Sequence, residues 1–197
     1  MNYREQLEHL ITDNDGIILT SEVEKQGIPR FYLTLLLREG MLDRASQGVY
    51  VTPDAFEDEM YMLQAKSSKV VFSHETALFL HDLTDRDPLQ WSVTVPHGYN
   101  ATKLRDSGIQ VHSVKRTLHL MGTTEVDTLF GRKVTAYNKE RTICDIIRNR
   151  NNMDIAILND ALKRYLGSKD KNISLLMRYA KALQVQKILR SYMEILI

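Results

Sequence analysis

Residues 20–52, TSEVEKQGIPRFYLTLLLREGMLDRASQGVYVT, decide the fold of the N-terminal part of this chain. A short helix is predicted to start at Thr20 or Ser21 and to end at Gly27, because glycine is favoured where a chain leaves a helix. Pro29 lies near the first turn of the next helix, and Gly40 marks its end. The segment therefore predicts two helices joined by a tight turn.

Two β-like runs follow the second of these helices. Met41–Ala45 and Val49–Thr52 flank Ser46-Gln47-Gly48, a hairpin sequence in which Gly48 suits positive φ. Helices joined by a tight turn and followed by a two-stranded hairpin are typical of a winged helix-turn-helix, in which the hairpin is the wing.

An amphipathic helix upstream completes the predicted three-helix core. Asn2 and Glu5 fit a capping box at its start, and Asp15-Gly16 is a turn sequence after its end. In the third helix, leucines spaced three and four residues apart share one face and are predicted to face the core. The predicted contacts join Leu33, Leu36 and Leu37 to Leu7, Leu10 and Val23.

The opposite side of the third helix is predicted to face a DNA groove. Arg30 is expected in its first turn, where base edges are usually reached, and arginine can bond guanine O6 and N7 together. Thr34 suits a base edge or a thymine methyl. Each charge taken alone is equally compatible with a solvated surface, but residues 25–50 carry a net charge of +2. The other predicted contacts are Phe31 on the outward face, Gln47 in the wing, and Lys25, Arg38 and Arg44 at phosphates.

Charge is distributed unevenly along the chain. The net charge is +1, but residues 1–72 carry 7 Lys and Arg against 12 Asp and Glu, whereas residues 73–197 carry 19 against 13. Because phosphate neutralisation supplies much of the affinity for DNA, +2 is small for tight binding by one domain. We therefore predict that the basic part of the chain also contacts DNA, together with Lys66 and Lys69, which lie just before it.

The remainder of the chain predicts a mixed architecture. Strands are expected at Val70–Phe72, Trp91–Val95, Ile109–Val114 and Val134–Tyr137, and helical patterns continue from Asn138 to the end. The predicted fold class is α+β, with a winged helix-turn-helix followed by a mixed α/β domain that ends in a helical bundle. The predicted divisions are residues 1–54 for the winged domain, 55–72 for a connecting helix and strand, and 73–197 for the C-terminal domain.

Several segments, in this order along the chain, resemble the AbiEi antitoxin family. They cover nearly the whole sequence, although Phe31-Tyr32 departs from the more basic residues expected in the third helix. The matching segments are Gly27–Arg30 through Gly40, Gly48–Val51, Phe72–Leu78, His81–Thr84, Val93–Pro96 and Glu140–Asp145.

The resemblance implies a cytoplasmic antitoxin of a type IV toxin–antitoxin system, used in abortive infection as a phage defence. A member of this family would bind inverted repeats in its own promoter through the winged domain and would repress transcription there. Its C-terminal domain would counter a nucleotidyltransferase-like toxin without forming a stable complex with it.

Enzymatic chemistry has little support in the sequence. His74 and His81 lie seven residues apart, on one helical face, but a catalytic zinc site needs a third placed ligand. A helix capped by Ser73, with one histidine packed against the core, explains the same pattern. Cys144 is the only cysteine and is predicted to be a small buried residue in a helix. We predict no catalytic residue, no metal and no cofactor.

A further group of charged residues has a structural explanation. Glu140, Arg141, Asp145 and Arg148 have the spacing of ion pairs within one helix.

No run of apolar residues is long enough to span a membrane, and the N-terminus lacks the apolar core of a signal peptide, so the predicted location is the cytoplasm. Two other hypotheses remain open: a protein-interaction module with a winged-helix fold that docks a partner protein, and a metal-dependent enzyme.

Overall fold

The computed structural model describes residues 2–56 and 58–196 and divides the chain into two compact units, Met1–Ser68 and Lys69–Ile197. The chain is mixed α+β, as predicted. The division falls inside residues 55–72, so the helix predicted there belongs to the first unit and the strand to the second.

The first unit contains four helices and three short strands within its described residues. The predicted helices and hairpin appear in the predicted order, and strand β1 was not predicted. The capping box at the start of the first helix is confirmed, because the Asn2 side chain accepts from the Glu5 amide at 2.9 Å and Glu5 accepts from the Asn2 amide at 2.9 Å. The elements are α1 (Tyr3–Asp13), β1 (Ile17–Leu19), α2 (Thr20–Lys25), α3 (Phe31–Arg38), β2 (Asp43–Ser46), β3 (Val49–Val51) and α4 (Glu59–Ala65).

The core of the first unit forms where α3 packs against the other helices. Leu33 and Leu36 on α3 are buried, and they cluster with Leu7 of α1 and Val23 of α2. Leu10 and Leu37 are partly buried against the same cluster. The predicted packing is therefore confirmed, and it fixes which side of α3 faces outward.

The three strands of this unit form an antiparallel sheet in the order β1-β3-β2. Gly48 has φ +77° in the turn between β2 and β3, as the hairpin sequence predicts. The register of β2 against β3 shifts between Arg44, which pairs with Tyr50, and Ser46, which pairs with Val49. The hairpin is thus tied to the helices through β1, which directly precedes α2.

The second unit is built on a five-stranded mixed sheet with the order β6-β5-β4-β8-β7. Strand β5 pairs parallel with β6, and β4 pairs parallel with β8, while the β4–β5 and β7–β8 pairs are antiparallel. The elements are β4 (Val71–Phe72), α5 (His74–Leu80), β5 (Ser92–Pro96), α6 (Thr102–Asp106), β6 (Gln110–Val114), α7 (Arg116–His119), β7 (Thr123–Asp127), β8 (Lys133–Tyr137), α8 (Lys139–Arg148), a 3₁₀ turn (Arg150–Asn152), α9 (Ile155–Gly167), α10 (Ile173–Ala182) and α11 (Gln186–Leu196).

Helix α8 is the centre of the second unit. Residues 140–147 are all buried, and α8 packs against α5, α9, α10 and α11.

The four predicted strands and the helical C-terminal part are confirmed. Helices α6 and α7 and strand β7 were not predicted, because each has only four or five residues and β7 is a polar edge strand that pairs with β8. None of the helices among the described residues is both long enough and apolar enough to span a membrane.

Candidate nucleic-acid interface

The outward side of α3 carries a row of exposed side chains. Phe31, Thr34 and Arg38 are all exposed and lie three and seven residues apart, which places them on one helical face. Phe31 retains 64% of its accessible surface, an unusually exposed position for a large aromatic residue. We call these residues, together with Lys25, Arg30, Arg44 and Gln47, the docking strip.

Arg30 lies at the N-terminal end of α3. The sequence predicts it inside the first turn, but α3 begins at Phe31, and Arg30 is the residue that precedes the helix. Its carbonyl accepts hydrogen bonds from the amides of Leu33 at 3.1 Å and Thr34 at 3.4 Å. The Arg30 side chain therefore still emerges at the start of the helix.

Glu24 holds the Arg30 guanidinium in an ion pair. Arg30 Nε donates to Glu24 Oε1, and the two side chains keep 69% and 47% of their exposure. This hydrogen bond is the main reason that the pKa of Arg30 is raised. Sequence analysis missed the pair because the two residues are six apart and are separated by the turn between α2 and α3, so helical spacing gives no signal.

The other cations of the docking strip are exposed and make no ion pair with any residue that the structure describes. They are Lys25 at the end of α2, Arg38 in the last turn of α3, and Arg44 on β2. Glu39 follows Arg38 directly, but its carboxylate is held by Arg4 through two hydrogen bonds of 3.1 and 2.8 Å. These three charges are therefore available to an anionic partner.

Gln47 and the two lysines beyond the strip are also exposed. Gln47 lies in the turn between β2 and β3. Lys66 is the C-cap of α4 in the first unit, and Lys69 is the first residue of the second unit. Their contact with DNA stays a prediction.

Residues 5–53 match the family model described as "Transcriptional regulator, AbiEi antitoxin". Residues 5–53 are thus similar to an AbiEi antitoxin regulator domain, and they are called the AbiEi domain below. This match confirms the family resemblance for residues 5–53, whereas the resembling segments from Phe72 to Asp145 lie outside it. The AbiEi domain contains every residue of the docking strip.

A solved structure shares the fold over a longer part of the chain. The RV2827C protein from Mycobacterium tuberculosis matches with a TM-score of 0.56 and 14% sequence identity, over 91% of this chain and 71% of its own. At this identity the likeness concerns the fold. No curated protein matches the chain.

The residues considered for enzymatic chemistry lie outside the AbiEi domain. Cys144 is buried in α8, as predicted, and burial raises the pKa of its thiol. His81 Nε2 lies 2.7 Å from the Tyr137 carbonyl oxygen, whereas the His74 ring stacks on His112 with a centroid distance of 3.5 Å. The two histidines thus have different partners, and no three His, Cys, Asp or Glu side chains in residues 2–56 and 58–196 form a metal-binding group.

The charged residues of α8 are only partly explained by pairing within the helix. Arg141 Nε donates to Asp145 at 3.0 Å, as the spacing predicts, and both side chains are buried. Glu140 instead accepts hydrogen bonds from Tyr165 at 3.0 Å and from the Asn172 amide at 3.1 Å. Arg148 makes no ion pair with a described residue.

Proposed function

We propose that this chain is an antitoxin and transcriptional autorepressor that binds inverted repeats in its own promoter. The AbiEi domain is proposed to act as a winged helix-turn-helix, with α3 in the major groove and the β2–β3 hairpin against the neighbouring backbone. The supporting observation is the exposed face of α3, where Phe31, Thr34 and Arg38 project away from the core within the matched segment.

The docking strip divides into two kinds of contact. Arg30 and Thr34 lie at the N-terminal part of α3 and are assigned to base edges, which carry the sequence information. Lys25, Arg38 and Arg44 are assigned to phosphates, because each is an exposed cation without an ion-pair partner among the described residues. Phe31 supplies an apolar surface of the kind that contacts a thymine methyl.

Three phosphate contacts per copy give a testable salt dependence. Each neutralised phosphate changes the slope of log K against log salt by about −0.9, so each half-site contributes a slope of about −2.7. Two copies on an inverted repeat double this value. A steeper slope would indicate further contacts, as predicted for Lys66, Lys69 and the basic second unit.

The test is binding to the DNA upstream of the chain's own reading frame, measured by fluorescence anisotropy with a scrambled duplex of the same length as competitor. Arg38→Gln should weaken binding and flatten the salt slope by about one unit per half-site. His9→Glu is the matched control, because it makes the same change in charge at an exposed position of α1 outside the docking strip. Equal affinity for both duplexes, or equal effects of the two substitutions, would exclude operator recognition by this face.

We also propose that the second unit counters a nucleotidyltransferase-like toxin encoded beside the chain, and that it does so in the cytoplasm without enzymatic activity or a stable complex. Expression of the full chain from an unrelated promoter should restore the growth of cells that carry the neighbouring gene. The Arg38→Gln variant should restore growth equally well, because its change lies in the AbiEi domain. Co-purification of the two proteins would instead favour a protein-interaction module.

A further inference from the structure

A small polar pocket lies in the second unit, where two sequence motifs that the proposed function does not use come together. Its volume is about 220 Å³, which is below the range of about 300–1,000 Å³ found for drug-sized ligands. A site of this size suits a small group with a few polar contacts. The residues of its lining that matter here are His74, Thr94, His112, Arg141, Asp145 and Arg148.

Arg141 provides a rigid cationic wall for the pocket. Its Nε donates to Asp145, and its Nη1 donates to the carbonyl oxygens of Leu118 at 2.8 Å and Met121 at 3.0 Å. The guanidinium also lies 4.2 Å from the ring centroid of Tyr137. These contacts fix its plane and leave Nη2 without a hydrogen bond to any described residue, so this group can donate to a ligand.

The charges around the pocket leave one cation uncompensated. Asp145 balances Arg141, whereas Arg148, two turns further along α8, makes no ion pair with a described residue. Arg148 lines the same pocket, and its charge adds to the lowering of the His74 pKa by burial and partly opposes the rise that burial causes in the Asp145 pKa. The pocket is therefore suited to a group that carries negative charge.

The histidines supply a neutral, polar side of the pocket. Burial lowers the pKa of both His74 and His112, so their stacked rings are uncharged at neutral pH. His112 Nε2 is buried and has no hydrogen-bond partner among the described residues, which is uncommon for a polar atom in a folded protein. A neutral imidazole donates from one ring nitrogen, and a ligand oxygen is a suitable acceptor.

The backbone and hydroxyl groups beside these rings are also held in place. His74 has φ +51°, a left-handed conformation that is uncommon for histidine and that persists only where the surroundings enforce it. His74 Nδ1 lies 3.0 Å from Ser73 Oγ, which in turn accepts from Thr94 Oγ1 at 2.8 Å. This network fixes the orientation of the His74 ring before any ligand arrives.

From this arrangement we infer that the pocket binds a single phosphate group, either inorganic phosphate or the terminal phosphate of a small monoester. Arg141 and Arg148 donate from α8, and His112 donates from β6. Donors on two different elements approach a ligand from different directions, which suits a tetrahedral oxyanion better than a planar carboxylate. The Arg148 side chain makes no hydrogen bond to a described residue, so its guanidinium can donate two parallel hydrogen bonds to phosphate oxygens, whereas Arg141 contributes through Nη2 alone.

The test uses the full chain labelled with ¹⁵N-histidine and titrated with inorganic phosphate at constant ionic strength. Phosphate should raise the thermal unfolding midpoint in a saturable manner and should shift the Nε2 resonance of His112. Acetate at the same ionic strength should do neither. Absence of saturation, an unmoved His112 resonance, or equal binding of acetate would overturn the inference.

Arg148→Gln tests the cation at the pocket and leaves the buried Arg141 pair intact. Because a hydrogen bond to a charged group is removed, phosphate affinity should fall about tenfold or more. Arg105→Gln is the matched control, since Arg105 is exposed on α6, does not line the pocket and makes no ion pair with a described residue. Equal losses in the two variants would show that phosphate binds only through the general charge of the surface.

The source of the phosphate group is distinguished by two oligonucleotides that differ only in a 5′-phosphate or a 5′-hydroxyl. Tighter binding of the 5′-phosphate form than of inorganic phosphate would support a terminal phosphate on a larger molecule, and the reverse order would support free phosphate. Equal binding of both oligonucleotides that is tighter than that of inorganic phosphate and is lost in Arg148→Gln would mean recognition of backbone phosphodiesters and would overturn the inference. DNA binding by the AbiEi domain is not required for any of these outcomes.

Discussion

In the proposed complex Glu24 would compete with DNA for the side chain of Arg30, so neutralising Glu24 is a sharp test of the proposed base contact. In the free protein the Arg30 guanidinium is held by the Glu24 carboxylate. An arginine that bonds a guanine must first leave this ion pair. We therefore expect Glu24→Gln to increase the affinity for the operator, although it removes a contact from the folded protein.

The size of the gain follows from the exposure of the pair. The two side chains keep 69% and 47% of their accessible surface, so the pair lies in a region of high dielectric constant. Exposed pairs of this kind correspond to a factor of about 1.5 to 5 in an equilibrium constant. The dissociation constant for Glu24→Gln should fall by this factor per half-site, and the gain should shrink as salt screens the pair.

The assay is fluorescence anisotropy with the operator duplex over a series of salt concentrations. Glu39→Gln is the matched control, because it makes the same change in charge but releases Arg4, which lies outside the docking strip. In an Arg30→Ala background, which should itself relax sequence specificity, Glu24→Gln should bring no gain. Weaker binding of Glu24→Gln, or equal gains from both glutamine substitutions, would refute the proposed competition.

Three further predictions concern affinity, stability and pH. Lys25→Ala should weaken binding to operator and scrambled duplexes alike and should flatten the salt slope by about one unit per half-site, measured by the same anisotropy titrations. Leu33→Ala should lower the free energy of unfolding by about 3–5 kcal/mol in urea denaturation, because this side chain is only 2% exposed in the core beneath α3. Burial raises the pKa of Asp145 from 3.8 to about 6, so the folded state holds this proton more tightly than the unfolded chain. The wild type should therefore lose stability relative to Asp145→Asn as pH rises from about 4 to 6, with no further change above pH 6. Urea denaturation at several pH values measures this difference, and a pH-independent difference would contradict the raised pKa of Asp145.

Local signals in the sequence determined the secondary structure of the first unit. The Asn2–Glu5 capping box, the spacing of Leu33 and Leu36, and the glycine at position 48 each depend on residues a few positions apart. Such signals act through backbone conformation and helical periodicity, which a single sequence displays directly. The same information placed Phe31, Thr34 and Arg38 on the exposed face of α3, because the buried leucines fix the opposite face.

Contacts between distant segments were decided only by the tertiary structure. The pairing of Glu39 with Arg4 joins residues 35 positions apart, and the stacking of His74 on His112 brings α5 against β6. Strand β7 exists as a strand because β8 pairs with it, since its own polar sequence gives no strong preference. Hydrogen bonding, charge pairing and burial between such segments depend on the path of the whole chain. For this reason the sequence named His74, Arg141 and Arg148 as separate features, and the fold alone brought them to one pocket.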